Sequence, residues 1–362
     1  MSDRYDVERI ASEFEVGGEF ASAAPYGGGH INDTYCVVFD EAGGPVRRIL
    51  QRINHKIFKN PADNMENVQR VTAHLAAKVS GEVDSGRRVL GLIAARDGRV
   101  WHEDAGGNYW RMYRFIEGAR TYEAVESTGQ AFQAAKAFGE FQRLLSDLPA
   151  PRLHETIPDF HHTPKRFAAL EAAIGADVAG RAMRVKREIE FALARKPLSR
   201  VLLDADLPER IIHNDTKFSN VMLDDATGEG ICVIDLDTVM PGLALHDFGD
   251  MVRTATSPTQ EDERDLSKVT MQFPMFEAML RGYLSSASGF LTKAEKQHLV
   301  SSGKVITFEQ GVRFLADYLA GDTYYKVHYD GQNLDRCRTQ FKLIESIELQ
   351  EEKMERLVES VG

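Results

Sequence analysis

Apolar positions recur with two different periods along the 362 residues, and the change of period divides the chain. Three early segments are rich in β-branched and aromatic residues and read as strands: Thr34-Tyr-Cys-Val-Val-Phe39, Arg47-Arg-Ile-Leu-Gln-Arg-Ile53 and Tyr109-Trp-Arg-Met-Tyr-Arg-Phe-Ile116. Over roughly 62–79, Val68, Val71, Leu75 and Val79 fall on one face and predict a core-facing helix. From Thr128 onward the helical period dominates. Phe132, Ala135, Phe138 and Leu145 mark one helix, and Phe308, Val312, Leu315 and Leu319 mark another. Leu334, Cys337, Phe341 and Ile344 open a long terminal helix. The pattern predicts an α+β chain of two lobes around a cleft: a small β-rich lobe over 1–117 and a larger, mainly helical lobe over 118–362. No internal repeat breaks it. The prolines at Pro149-Ala-Pro151, Pro197 and Pro208 read as loops within the larger lobe.

One stretch does not fit a plain helical pattern. Ile211-Ile-His-Asn-Asp-Thr-Lys-Phe-Ser-Asn220 is followed by two short apolar runs, Val221-Met-Leu223 and Ile231-Cys-Val-Ile234, around the turn Asp224-Asp-Ala-Thr-Gly-Glu-Gly230. This reads as a β-hairpin that returns Asp235 to the side of Asn220, with Asp215 on the loop just ahead. His-x-Asp, an Asn five residues on and an Asp closing a strand is the layout of a phosphotransferase. Phosphoryl transfer asks for positioning and charge neutralisation, and Mg²⁺ prefers hard oxygen ligands. Asn220 and Asp235 would supply those oxygens, and Asp215 would take the proton of the attacking hydroxyl. Lys217 would carry positive charge to the transferring phosphoryl group. His213 would hold the loop backbone.

A nucleotide cradle stands upstream. In Tyr26-Gly-Gly-Gly-His-Ile-Asn-Asp-Thr-Tyr35, Gly27, Gly28 and Gly29 allow backbone amides to approach phosphate oxygens. The stretch is neither the protein-kinase glycine pattern nor a Walker A loop, since Asn32 stands at the third spaced glycine and no Gly-Lys-Ser/Thr follows. Where kinases carry a phosphate-pairing lysine, the chain has Gln51 or Arg52, and alternation lets only one of them face the nucleotide. Glu66 or Asn67 would orient it. Arg114, Phe115 and Ile116 would form the hinge that holds adenine.

These residues together resemble the aminoglycoside phosphotransferase and choline kinase superfamily, and more closely the N-acetylhexosamine 1-kinases. The likeness covers nearly the whole chain. It includes Ile49-Leu-Gln-Arg-Ile-Asn54, Val233-Ile-Asp-Leu-Asp-Thr-Val-Met-Pro-Gly242, His246-Asp-Phe-Gly-Asp250, Asp265-Leu-Ser-Lys-Val269 and Arg313-Phe-Leu-Ala-Asp-Tyr-Leu-Ala-Gly-Asp322. The resemblance implies a protein-kinase-like fold and transfer from Mg·ATP to the anomeric hydroxyl of N-acetylglucosamine or N-acetylgalactosamine. Asp215 would then be the base, Asn220 and Asp235 the metal ligands, and His30, Asp237, Arg313 and Tyr324 would face the sugar, with Asp237, two beyond Asp235, on the same strand side. Three of these four have a plainer rival. His30 would cap the glycine turn, Asp237 would be a structural carboxylate, and Arg313 would pair with Glu309 or Asp317 on its own helix. Tyr324, beyond Gly321, would lie on the cleft wall. Thr254 stands where an aromatic wall residue is expected, which leaves another hexose, an amino alcohol or an aminoglycoside open as acceptor. A nucleotide-binding protein without turnover is the rival outside enzymes. Protein kinase activity fits least, because no Ala-Pro-Glu segment follows Asp235.

Composition narrows the setting. Hydrophobic content of 43% and charged content of 27% are those of a folded globular chain. A net charge of −11 speaks against a nucleic-acid surface. The start Met-Ser-Asp-Arg-Tyr-Asp has no apolar signal core and no run suits a membrane span, so a cytoplasmic monomer or weak dimer is expected. The three cysteines, Cys36, Cys232 and Cys337, lack metal spacing and read as reduced core thiols, and His161-His162 reads as surface.

Overall fold

The computed structural model describes residues 5–28 and 31–361. After the short helix α1 (Val7–Ala11) come strands β1 (Glu19–Pro25), β2 (Asp33–Glu41) and β3 (Gly44–Ile53), and then helix α2 (Pro61–Val79). Strands β4 (Leu92–Ile93), β5 (His102–Glu103) and β6 (Tyr109–Arg114) complete a six-stranded antiparallel sheet of order β1-β2-β3-β6-β4, with β5 on β6. Asn60 caps α2 through the Asp63 amide, and Pro61 opens it without losing a hydrogen bond. The predicted stripe of Val68, Val71, Leu75 and Val79 is buried against Ile53 and Tyr113. On the other sheet face Leu50, Trp110 and Met112 pack with Ile10 and Phe14. Residue alternation on β3 therefore puts Gln51 on the α2 face and Arg52 on the far one, where Arg52 pairs with Asp33 at 2.6 Å.

The rest of the chain is mostly helical. It contains β7 (Ala119–Arg120), α3 (Thr128–Leu145), α4 (Thr163–Ala176), α5 (Lys186–Ala194) and β8 (Arg210–Ile212). The hairpin β9 (Val221–Asp224) and β10 (Gly230–Val233) follows, then β11 (Met240–Gly242) and α6 (Ala244–Ala255). Helices α7 (Phe273–Ala287), α8 (Lys293–Gln297), α9 (Leu299–Leu319) and α10 (Gln332–Val361) complete it. Helices α3 and α7 touch almost backbone to backbone. A Cβ at Gly139 would lie 2.7 Å from the Tyr283 carbonyl oxygen, and one at Gly282 would lie 2.2 Å from that of Phe132. Glycine is required at both for this approach. Phe138, Phe248, Phe276 and Tyr283 fill the space between these helices and α6. The stripe of Phe308, Val312, Leu315 and Leu319 is fully buried, and Cys337, Phe341 and Ile344 of α10 meet it.

Several expectations change. Strand β6 stops at Arg114, so Phe115 and Ile116 already belong to the connecting segment. Cys232 and Cys337 are buried free thiols, but Cys36 is only half-buried. The pair His161-His162 is not surface. His162 caps α4 through the Lys165 amide, and His161 is held by Glu309 at 2.8 Å, 4.9 Å from the His246 ring.

Burial, with His161 adding to it and Glu309 opposing, pushes the His246 imidazole down to about 3, so it stays neutral in the folded chain. In the unfolded chain it protonates near its ordinary value of 6.5. The unfolded chain thus holds the extra proton between about pH 6.5 and 3, and stability falls as the pH drops into that window. Between pH 7 and 5 this group alone should withdraw about 2 kcal/mol. His246→Asn should flatten that slope, measured by urea unfolding at the two pH values.

Candidate active site

The loop after β8 is shaped by acids of α6. The Asp247 carboxylate accepts the amides of His213 (2.9 Å) and Asn214 (2.7 Å), and Asp250 accepts the Thr216 amide at 2.9 Å. Gln142 of α3 donates to Asp247 at 2.7 Å. Asn214 adopts a positive φ of 67°, stabilised by its side-chain bond to the Thr238 carbonyl. His213 is fully buried and meets the Ile234 carbonyl at 2.8 Å, which ties the loop to the end of the hairpin as expected of a structural histidine. Asp247 and Asp250 lie on one face of α6 in the quoted His246–Asp250 stretch. Sequence reasoning gave them no role, although two acids at i and i+3 in a buried helix were the available signal.

The hairpin does what its turn chemistry predicts. The Ile234 amide donates to the Asn220 carbonyl at 2.9 Å, so the chain returns beside Asn220. Asn220 Nδ2 donates to an Asp215 carboxylate oxygen at 3.0 Å, and Lys217 Nζ stands 3.1 Å from the same oxygen. Burial opposes the charge on Asp215, but Lys217, His213 and Asn220 outweigh it and hold the carboxyl below the usual range. Asp215 is therefore ionised at neutral pH, as a proton acceptor must be. Strand β10 ends at Val233, and Asp235 takes a left-handed φ of 61° before a 3₁₀ turn over Leu236–Thr238. Strand alternation does not reach Asp237, so the two acids are not on one strand side. The cause is the backbone reversal at Asp235.

Asp237 points into the protein. Its carboxylate takes both terminal nitrogens of Arg111, Nη2 at 2.9 Å and Nη1 closer still, and accepts Asn32 Nδ2 at 2.7 Å. Asn64 and Thr156 hold its carbonyl at 2.8 and 3.0 Å. The same Arg111 donates to Gln51 Oε1 from Nε (2.9 Å) and Nη2 (2.6 Å), and Gln51 Nε2 donates to Thr34. Gln51 lines the cleft and Arg52 does not. The partner that orients Gln51 is Arg111 on the adjoining strand. Glu66 and Asn67, the expected partners, bond to His154 instead. Cross-strand register, with Gln51 opposite Arg111, is information that a single sequence does not carry.

Between the sheet and the helices runs a cleft of about 690 Å³. Gly27, with φ 77°, and Gly28 edge it, as do Arg114, Phe115 and Ile116, while Gly29 and His30 lie outside the described residues. Lys217, Asn220 and Asp235 line it, and Asp215, behind them, is not among the lining residues described. Another wall is formed by Arg253 and Thr254 of α6, the loop 257–261, and Thr339, Gln340 and Leu343 of α10. Arg253 is bound by Asp250 (2.9 Å) and Glu261 (3.0 Å). Arg313 and Tyr324 are not among the cleft-lining residues described. Arg313 bonds Gln310 at 3.1 Å and faces the Phe160 and Tyr325 rings, and Tyr324 is 72% exposed. Asp317 does not pair with Arg313 but caps the turn after α9 through the amides of Thr323, Tyr324 and Tyr325.

Asn220 and Asp235 also suit a hard cation. Asn220 Nδ2 is engaged by Asp215, which leaves Oδ1 free, and the Asp235 carboxylate accepts no hydrogen bond from a described residue. Burial and the negative charges of Asp237 and Asp215 push the Asp235 carboxyl up, so the site favours an added positive charge. No cluster of three His, Cys, Asp or Glu side chains suited to a metal occurs among the described residues.

A sheet over a helical body and a glycine-edged cleft lined by Asn220 and Asp235, with Asp215 bonded to Asn220, define a phosphotransferase-type architecture. The chain belongs to the phosphotransferase enzyme family APH, whose model matches residues 22–271. Its fold is similar to that of an aminoglycoside phosphotransferase from Alicyclobacillus acidocaldarius, at 12% identity and TM-score 0.64, over 99% of this chain and 98% of that one. It is also similar to a microcompartment-associated aminopropanol kinase, at 18% identity and TM-score 0.62, over 96% and 98% of the two chains. A spectinomycin phosphotransferase in complex with ADP and spectinomycin matches at 12% identity and TM-score 0.60, over 96% and 97%. No helix among the described residues is long and apolar enough to cross a membrane.

Proposed function

We propose that this chain transfers the γ-phosphoryl group of ATP to the anomeric hydroxyl of an N-acetylhexosamine. The family supports phosphoryl transfer, and the likeness of Val233–Gly242, His246–Asp250 and Arg313–Asp322 to N-acetylhexosamine 1-kinases supports the acceptor and the position. One observation carries the choice of a neutral, hydroxylated acceptor: the chemistry of the cleft wall formed by α6, the 257–261 loop and α10. Thr254, Ser257, Thr259, Gln260, Thr339 and Gln340 present hydroxyls and amides there. Glu261, the carboxylate on that wall, is already bound to Arg253, which leaves it less open to an ammonium acceptor.

In this reading ATP lies along Gly27 and Gly28, with its base at Arg114–Ile116 and Gln51 turned toward its phosphates. Asp215 accepts the proton of the acceptor hydroxyl as its oxygen bonds the γ-phosphorus and the bond to the β,γ-bridging oxygen breaks, releasing ADP. Lys217 meets the charge on the transferring group. Asn220 and Asp235 would hold Mg²⁺, which supplies charge neutralisation at the phosphates. The sugar would also meet His30. The placement of Asp237 in the Arg111 pair makes its contribution indirect, through Asn32 and Gln51. Arg313 and Tyr324 would act on the sugar only through the outer rim.

Initial rates with N-acetylglucosamine, N-acetylgalactosamine, glucose, galactose, ethanolamine and choline test this. A kcat/KM for an N-acetylhexosamine about 10²-fold or more above the amino alcohols is expected, because a polar pocket rejects ligands that leave its groups unpaired. The reverse order would overturn the acceptor assignment.

A further inference from the structure

We propose that Gln340 reads the acceptor: its side-chain oxygen accepts a hydrogen bond from an N–H or O–H next to the reacting hydroxyl. In the sugar reading above, on which this rests, that donor is the acetamido N–H. The inference begins with an unmatched group. Gln340 is 3% exposed, yet its Oε1 is buried without a hydrogen-bond partner. It is among the residues that line the cleft, as are Arg253 and Leu343. A buried amide oxygen left unpaired costs the free energy of a lost hydrogen bond, so such a group is retained where a ligand completes it.

Its neighbours on the same wall are already satisfied from within. Thr254 Oγ1 donates to the Asp250 carbonyl at 2.8 Å, and Thr339 Oγ1 donates to the Glu263 and Asp335 carbonyls at 3.1 and 3.0 Å. Ser257 and Thr259 bond each other at 2.9 Å. Gln340 is the wall amide with a buried oxygen still open. Its position is also fixed in advance: a Cβ at Gly311 of α9 would stand 3.2 Å from Gln340 Cβ and 2.6 Å from Phe341 Cε1. The close α9–α10 contact therefore sets where the amide stands before any ligand arrives. Leu343, one turn on, offers apolar surface beside it, which suits an acetyl methyl group or a pyranose face.

The test measures KM for acceptor and for ATP separately in Gln340→Met, which keeps the volume and removes the oxygen. The wild-type panel described above first identifies the acceptor that is turned over. Gln340→Met should raise the KM of an N-acetylhexosamine about ten- to a hundredfold, with the KM for ATP within twofold. Gln340→Asn, which keeps the amide but withdraws it by one methylene, should show the same split and serves if the Met variant does not fold. An acceptor KM within twofold of wild type, or an equal rise for ATP, would overturn the role of Gln340. If the wild type turns over only an amino alcohol, the sugar reading fails by itself. Gln340 is then judged on that acceptor by the same KM split.

Discussion

Asp215→Ala lowers kcat by about 10²–10⁴-fold while the KM for ATP stays within twofold, the range that loss of a general base produces. Asp215 is the carboxylate of the loop that is ionised, recessed and bound by Lys217 and Asn220. The groups assigned to the nucleotide, Gly27, Gly28, Gln51 and Arg114–Ile116, come from other elements, so ground-state binding survives. The loop itself should persist too, because Asp247 and Asp250 hold its amides from α6. Nucleotide titration and steady-state kinetics on the same preparation separate these effects. Unchanged kcat would remove Asp215 from the mechanism, and a matching loss of ATP affinity would make its role structural.

The second large effect is on stability. Arg111→Met should cost about 3–5 kcal/mol, since it leaves the Asp237 carboxylate buried without its counter-charge. Both side chains are almost fully buried, at 1% and 2% exposure. Arg111→Met combined with Asp237→Leu should regain much of that loss, because a well-packed apolar pair of similar volume avoids the desolvation of two ions. Urea unfolding of the single and double variants measures both. The single variant should in addition raise the KM for ATP, since Gln51 Oε1 loses both of its Arg111 donors. A loss under 1 kcal/mol would show that water or a relaxed Asp237 compensates the missing guanidinium.

What the sequence carried, and what it did not, follows from the range of the interactions involved. The strands at Thr34 and Arg47, the α2 stripe and the α9 stripe were legible because burial at period two or 3.6 is a local property. The Asp215–Asn220–Asp235 set was legible because the Asp224–Gly230 turn fixes which residues meet across the hairpin. Asp237 was misplaced because the left-handed residue Asp235 is invisible to alternation, and Asp tolerates that conformation without a glycine to announce it. Arg111 was missed because its partners, Gln51 and Asp237, lie 60 and 126 residues away. His161 looked like surface for the same reason: Glu309, which holds it, is 148 residues on. The unpaired Gln340 oxygen depends on what fails to surround a side chain, and only the folded chain defines that.

The most direct test of the central claim is phosphorus NMR of the product formed from ATP, Mg²⁺ and N-acetylglucosamine or N-acetylgalactosamine. Transfer to the anomeric oxygen gives a phosphomonoester whose phosphorus couples to the single anomeric proton, and this is the predicted result. Coupling to the two protons of a primary alcohol, or ADP formed without any sugar phosphate, would contradict it.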